Sequence, residues 1–149
     1  MGFVLSKRSL DKMIGVHPQV IQVMKAAITN SPYDFLITHG VRTAAEQNRL
    51  YQQGRKTKGP RVTNADGYKV RSNHQAKSDG LGYAVDIALC GEVINGKYVK
   101  YTNTPQMYND KKMRTTAAHI KRVAASLGIP LQWGGDWKFY DSPHFELKK

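Results

Sequence analysis

The run Tyr83-Ala-Val-Asp-Ile-Ala-Leu-Cys90 limits what this chain can fold into more than any other stretch. Val85, Ile87 and Leu89 fall on one face, and Ala84, Asp86 and Ala88 on the other, which is the period of a β-strand. The first face predicts packing against a core. The second sets a carboxylate between two small side chains. Burying an unpaired charge is strongly unfavourable, so Asp86 is expected to face a partner or a cleft, with the alanines leaving room beside it. Gly80 and Gly82 supply the tight turn that feeds the strand.

Upstream, Ser72-Asn-His74 lies in a loop. The His74 imidazole and the Asp86 carboxylate both suit zinc, which in catalytic sites typically takes three protein ligands and a water. A third ligand is expected in Tyr140-Asp-Ser-Pro-His-Phe-Glu-Leu147. Pro143 disfavours helix at Ser142, so His144 and Glu146 share one face of a short strand, with Phe145 and Leu147 on the other. Asp141, three residues before His144, is placed to lie near a metal without binding it and to act as general base toward its water.

Ser72-x-His74, Gly82-x-Ala84-x-Asp86 and Asp141-x-x-His144, in that order, resemble the zinc peptidase family of D-Ala-D-Ala carboxypeptidases and L-alanyl-D-glutamate endopeptidases. Ser31-Pro-Tyr-Asp-Phe35, Gly40-Val-Arg-Thr43 and Gly134-Gly-Asp-Trp137 are similar to its phage endolysin branch. The resemblance covers most of the chain. It implies Zn2+ held by His74, Asp86 and His144, Asp141 as the catalytic base, and Arg42 near the site gripping a substrate carboxylate, although the strand-to-helix position of Arg42 equally allows a structural ion pair. It also implies cleavage of the L-alanyl-D-glutamate bond in the peptidoglycan stem peptide, for host lysis. Asp at position 141, where carboxypeptidase relatives often carry Glu, favours the endopeptidase branch. The chain departs from the family at one point. The usual spacing would make Asp79 the first ligand, whereas His74 lies twelve residues before Asp86. A short insertion spanning Gln75–Gly80 is the preferred explanation, because Asp79 as ligand leaves Ser72-x-His74 without a purpose.

The chain has 149 residues, enough for one domain with its own core. No repeat or low-complexity tract marks a separate cell-wall-binding module, so 1–149 is expected to be a single peptidase domain and a monomer. The net charge of +12 points to a polyanionic partner. The anionic bacterial envelope fits. Nucleic acid is not expected, because no recognition helix or RNA-binding motif accompanies the loose basic runs at 55–61 and 111–114. Cys90 is the single cysteine. It rules out an internal disulfide and is read as a packed, inert thiol. No secretory signal or membrane span is evident, which predicts residence in the host cytoplasm until lysis and then access to the periplasm and wall.

Along the chain, helices are expected over Ser9–Gly15, from Pro18 to about Asn30, from Thr43-Ala-Ala-Glu46 to Gly54, and from Thr104 to Leu127. His17 caps the second. His39 ends a strand from Asp34, on the face of Phe35 and Ile37, with a partnered structural role. His119 is expected to face solvent. Arg55–Val70 is a candidate wall of the cleft. Glu92–Val99 is a hairpin turning at Asn95-Gly96. Asp136 caps a turn or orients a metal-bound histidine, and the tryptophans pack. The fold class is α+β, a small antiparallel sheet carrying the zinc ligands with helices packed on it. The rival functions are D-Ala-D-Ala carboxypeptidase and a non-catalytic zinc-stabilised binding module.

Overall fold

In the computed structural model, which describes residues 2–148, the alternating run opens the longest strand, β2 (Ala84–Ile94). β1 (Asp34–His39) and β5 (His144–Leu147) flank it, both antiparallel, and β4 (Leu131–Trp133) lies beyond β5. β3 (Lys97–Lys100) returns along the far end of β2. The turn between them has φ of 51° at Asn95 and 78° at Gly96, the left-handed pair that a tight hairpin needs.

Directly opposed residues in antiparallel strands share a face. Val85 lies opposite Phe145, Ile87 opposite Ile37 and Leu89 opposite Phe35. All six are buried, in one cluster with Val20, Val23 and Met24 of α2 (Pro18–Ile28) and Met113, Ala117 and Ile120 of α5 (Asp110–Ser126). Each such side chain contributes roughly 1.5–3 kcal/mol on burial. That burial fixes the register, since a slip of one residue would turn Asp86 into the core. The other face carries Ala84 opposite Glu146, and Asp86 opposite both His144 and His39.

His39 departs from the expectation. Strict alternation groups it with Phe35 and Ile37, but the register shifts between Ile37 and His39. The extra residue is Thr38, and this bulge re-aims His39 to the face of Asp86.

The helices also depart in detail. α1 spans Lys7–Lys12, capped by Ser6, and α2 ends at Ile28. His17 caps α2 as expected, its Nδ1 accepting from Gln19 N at 3.1 Å. α3 (Ala44–Gln52) opens with the reciprocal Thr43–Glu46 capping box. The single helix expected from Thr104 breaks into α4 (Thr104–Met107) and α5, because Asn109 leaves helical geometry and its side chain accepts from Lys112 N. Leu127 caps α5 and is partly exposed.

His119 does not face solvent. It is 8% exposed, and its Nε2 donates to Ala27 O at 2.9 Å. Ala27 is in the last turn of α2, where carbonyls lack an intrahelical partner, so the packed helix face widens to admit a histidine that satisfies one. No helix among the described residues is long and apolar enough to cross a membrane.

Candidate metal centre and its cleft

His74 is presented by a loop that the backbone pins on both sides. Arg42 N donates to His74 O and Tyr83 N to Asn73 O, both at 2.8 Å. Its Nδ1 lies 2.9 Å from Gly40 O. A carbonyl only accepts, so Nδ1 carries the hydrogen and Nε2 keeps its lone pair. On β5, His144 Nε2 lies 2.8 Å from Glu146 Oε1. An ionised carboxylate also only accepts, so here Nε2 carries the hydrogen and Nδ1 keeps the lone pair.

Those two lone pairs meet. His74 Nε2 and His144 Nδ1 are 3.1 Å apart, and each lies close to Asp86 Oδ1, at 3.3 and 3.2 Å. All three donor atoms lie within 4.8 Å of one another. With both rings neutral, no hydrogen remains to lie among them, and such a cluster is repulsive unless a cation or an extra proton fills it. Burial opposes a charge on His144, but hydrogen bonds to Asp86 and Glu146 outweigh it and push its pKa up to about 9. Burial likewise opposes ionisation of Asp86, yet the two imidazoles hold its carboxyl well below the usual carboxylate range. Two imidazoles and a carboxylate with free lone pairs fit a metal ion, and catalytic zinc sites use such donor sets.

Arg42 NH2 holds the other Asp86 oxygen, Oδ2, at 3.1 Å, and NH1 reaches Gln47 Oε1 at 3.1 Å. This is the structural ion pair that the strand-to-helix position of Arg42 allows. Among the described residues, its buried Nε has no hydrogen-bond partner. Asp141 stands apart from the donors. Its Oδ2 is 4.0 Å from His144 Nδ1 and its side chain is 36% exposed. Burial, then the nearby charge of Asp86, raise its pKa above the ordinary carboxylate value.

The centre opens into a cleft of about 510 Å³ whose lining includes His39, Arg42, Asn64, Trp137 and Asp141. The 62–65 segment forms one wall, as expected of the Arg55–Val70 stretch. Gln47, fully buried in α3, anchors it by donating to Thr63 Oγ1 and Ala65 O while accepting from Arg42. The Glu92–Val99 end of the β2–β3 hairpin does not line the cleft. Of the two tryptophans, Trp133 packs, while Trp137 lies across His144 with ring centroids 5.0 Å apart.

Four side chains that the sequence separates, His74, Asp86, His144 and Asp141, are thus brought together with Arg42. Asp79 is not among them. It accepts from Tyr83 Oη at 2.5 Å and Leu81 N at 3.0 Å, inside a short turn closed by Gly80 N donating to Lys77 O. Asp136 pairs with Lys121 at 2.5 Å and orients no histidine. That contact belongs to Glu146, whose sequence signal was its position two residues after His144 on the same strand face. Gln47 gave no signal, being one polar helix residue among several. Cys90 is half-buried rather than packed away as expected; burial, then Asp34, push its thiol up to about 12, so it is protonated at neutral pH.

The sheet carries only two of the three donors, Asp86 on β2 and His144 on β5, while His74 comes from the loop before β2. With the Asp141 carboxylate held just off them, these groups make this the chain of a peptidase with a candidate metal centre. It belongs to the phage L-alanyl-D-glutamate peptidase family, whose sequence model matches residues 1–149. The peptidoglycan L-alanyl-D-glutamate endopeptidase CwlK of Bacillus subtilis (strain 168) is 36% identical over 136 residues, covering 89% of this chain and 73% of that protein. The L-alanyl-D-glutamate peptidase of Escherichia phage T5 is 29% identical over 149 residues, 100% of this chain and 92% of the relative. The crystal structure of the Serratia marcescens L-Ala D-Glu endopeptidase ChiX superposes with a TM-score of 0.68 at 26% identity, over 97% of this chain and 90% of that one. The α+β fold expected from the sequence is therefore the fold of an endopeptidase of this class.

Proposed function

We propose that this chain is a zinc-dependent peptidoglycan hydrolase that cleaves the L-alanyl-D-glutamate bond of the stem peptide. The observation that carries the reading is the meeting of three lone pairs at His74 Nε2, Asp86 Oδ1 and His144 Nδ1, with Asp141 beside them and outside the donor set. Those three residues would hold Zn2+. The ion, when bound, supplies a Lewis acid that polarises a carbonyl and brings a water's pKa towards neutrality.

The chain's own residues do the rest. Asp141 Oδ2 takes the proton of the attacking water and returns it to the leaving amine. Its raised pKa suits both halves of that task, since a base that is too acidic makes a poor proton donor afterwards. Arg42 fixes Asp86 through Oδ2 and turns Oδ1 to the histidines. Its terminal N–H groups at the cleft wall are the proposed donors to a substrate oxygen, as a planar fork suits such contacts. Trp137 and the 62–65 wall hold the peptide and reduce access of water. The membership of the family and the names of its relatives support the choice of bond over terminal D-Ala trimming.

The biological role that follows is host lysis, with the enzyme held in the cytoplasm until it gains access to the wall. The charge of +12 would draw it to anionic wall polymers and lipid headgroups. Two variants test the site. His144→Ala should lose both zinc and the release of peptide amino groups from purified peptidoglycan. Asp141→Asn should keep stoichiometric zinc and lose turnover by about 100-fold or more, the usual contribution of a positioned base. An Asp141→Asn variant with near-parental turnover removes Asp141 from this role.

A further inference from the structure

Glu146 sits beside the centre, and the proposed mechanism gives it no chemical step. Its side chain is only 13% exposed. Oε1 lies 2.8 Å from His144 Nε2, and Oε2 lies 2.7 Å from Asn73 Nδ2. Asn73 precedes His74 in the chain, and its carbonyl is the one that Tyr83 N holds. One carboxylate thus bridges the strand that carries one histidine and the loop that carries the other. β5 places Glu146 opposite both Ala84 and Gln132, so the group is held by the interior of the sheet.

We propose that Glu146 is a positioning residue for the metal centre. It keeps the His144 hydrogen on Nε2, so that the Nδ1 lone pair faces the ion, and it clamps the His74 loop to β5 through Asn73. The argument is one of donor and acceptor types. A ring left without this acceptor is free to carry its hydrogen on Nδ1, the nitrogen that must be bare to bind. A carboxylate acceptor also raises the basicity of the opposite nitrogen, and outer partners of this kind commonly alter metal affinity by about 10–100-fold. The inference rests on the metal reading of the site.

The test is zinc affinity of the full chain by chelator competition, together with thermal unfolding of the metal-free protein. Glu146→Ala is expected to bind zinc about 10–100-fold more weakly than the parent. Glu146→Gln keeps an acceptor oxygen without its charge and is expected to fall between the two. It also keeps the test open where Glu146→Ala does not fold. Asn73→Ala breaks only the loop half of the clamp and should weaken zinc less than Glu146→Ala does. In the zinc-loaded parent, ¹⁵N spectra should show His144 with a protonated Nε2 and a metal-bound Nδ1. Variants that unfold more easily when metal-free yet bind zinc as tightly as the parent would make Glu146 merely structural and overturn the inference. A parent that binds no zinc overturns the metal reading itself, and this inference with it, so the two failures are told apart in the parent sample.

Discussion

His144 meets three other titratable groups of the centre within about hydrogen-bond reach, and its protonation follows from them. Its pKa of about 9 in the folded, metal-free chain lies above the ordinary 6.5. A raised histidine stabilises the fold fully below its unfolded pKa, and that contribution is lost as pH rises through the folded value. The Tm of metal-free protein is therefore expected to fall between pH 6.5 and 9. Zinc affinity should rise over the same interval, because the ion replaces the proton. A metal-free Tm that is flat across this interval contradicts the geometry at His144. At the neighbouring position, Arg42→Lys keeps a positive charge but cannot hold Asp86 and Gln47 together. Its expected effect is lower turnover with the protein still folded, read as kcat and Tm on one preparation. At this scale the meeting of His74, Asp86, His144 and Asp141 in one place could be anticipated from the order of the motifs that resemble the family, and the roles given to them remain those proposed above. Glu146 was visible only as a strand-face neighbour, since its role depends on the tautomer of a ring that a sequence does not show.

Elements, not single residues, decide where these groups stand. β2 and β5 put Asp86 and His144 on one face by register alone. Asp141 depends instead on the turn after β4. A Cβ added at Gly134 would come within 2.3 Å of Asp141 O and 3.0 Å of its Cβ. Gly134→Ala must therefore displace the 141 segment, while the donor strands stay paired. The expected result is retained zinc with turnover down about 100-fold, the scale of effect that a 1 Å misplacement produces. Unchanged turnover would show that the position of Asp141 does not matter. The loop before β2 offers a complementary pair: His74→Ala should lose zinc, and Asp79→Ala should keep it, because Asp79 is spent on closing its own turn. Most strands and helix starts could be read from alternation, Asn-Gly and capping residues. The bulge at Thr38 and the burial of His119 could not, because both are set by the partner strand or helix against which the residue packs. The break at Asn109 had a signal, an Asn before Asp110 in the position of a helix cap, that the long apolar stripe obscured.

Across the whole molecule, the centre is where the sheet, the 72–82 loop and the 134–141 turn meet, so a metal bound there would stabilise the fold. A ligand at 100 times its Kd stabilises the folded state by about 2.7 kcal/mol. Chelation should lower Tm accordingly, and His144→Ala should show no further drop with chelator. The charge of +12 acts at longer range. Adsorption to anionic wall preparations should weaken as salt shortens the screening length from about 10 Å at 0.1 M to about 3 Å at 1 M. Fold class was legible at this scale because paired helices and an Asn95-Gly96 hairpin interrupt the order of elements, in place of a regular strand–helix–strand alternation. Of the cleft, the wall in Arg55–Val70 was legible, but the Trp137 side was not, because that side is brought to it only by the packing of segments far apart in the chain.

The most direct test of the central claim is mass spectrometry of purified peptidoglycan digested by this protein, with and without a zinc chelator. The account predicts new D-glutamate amino termini on the stem peptide, abolished by chelator and restored by added zinc. Release of terminal D-alanine alone, or cleavage that continues at full rate after the metal is removed, would contradict it.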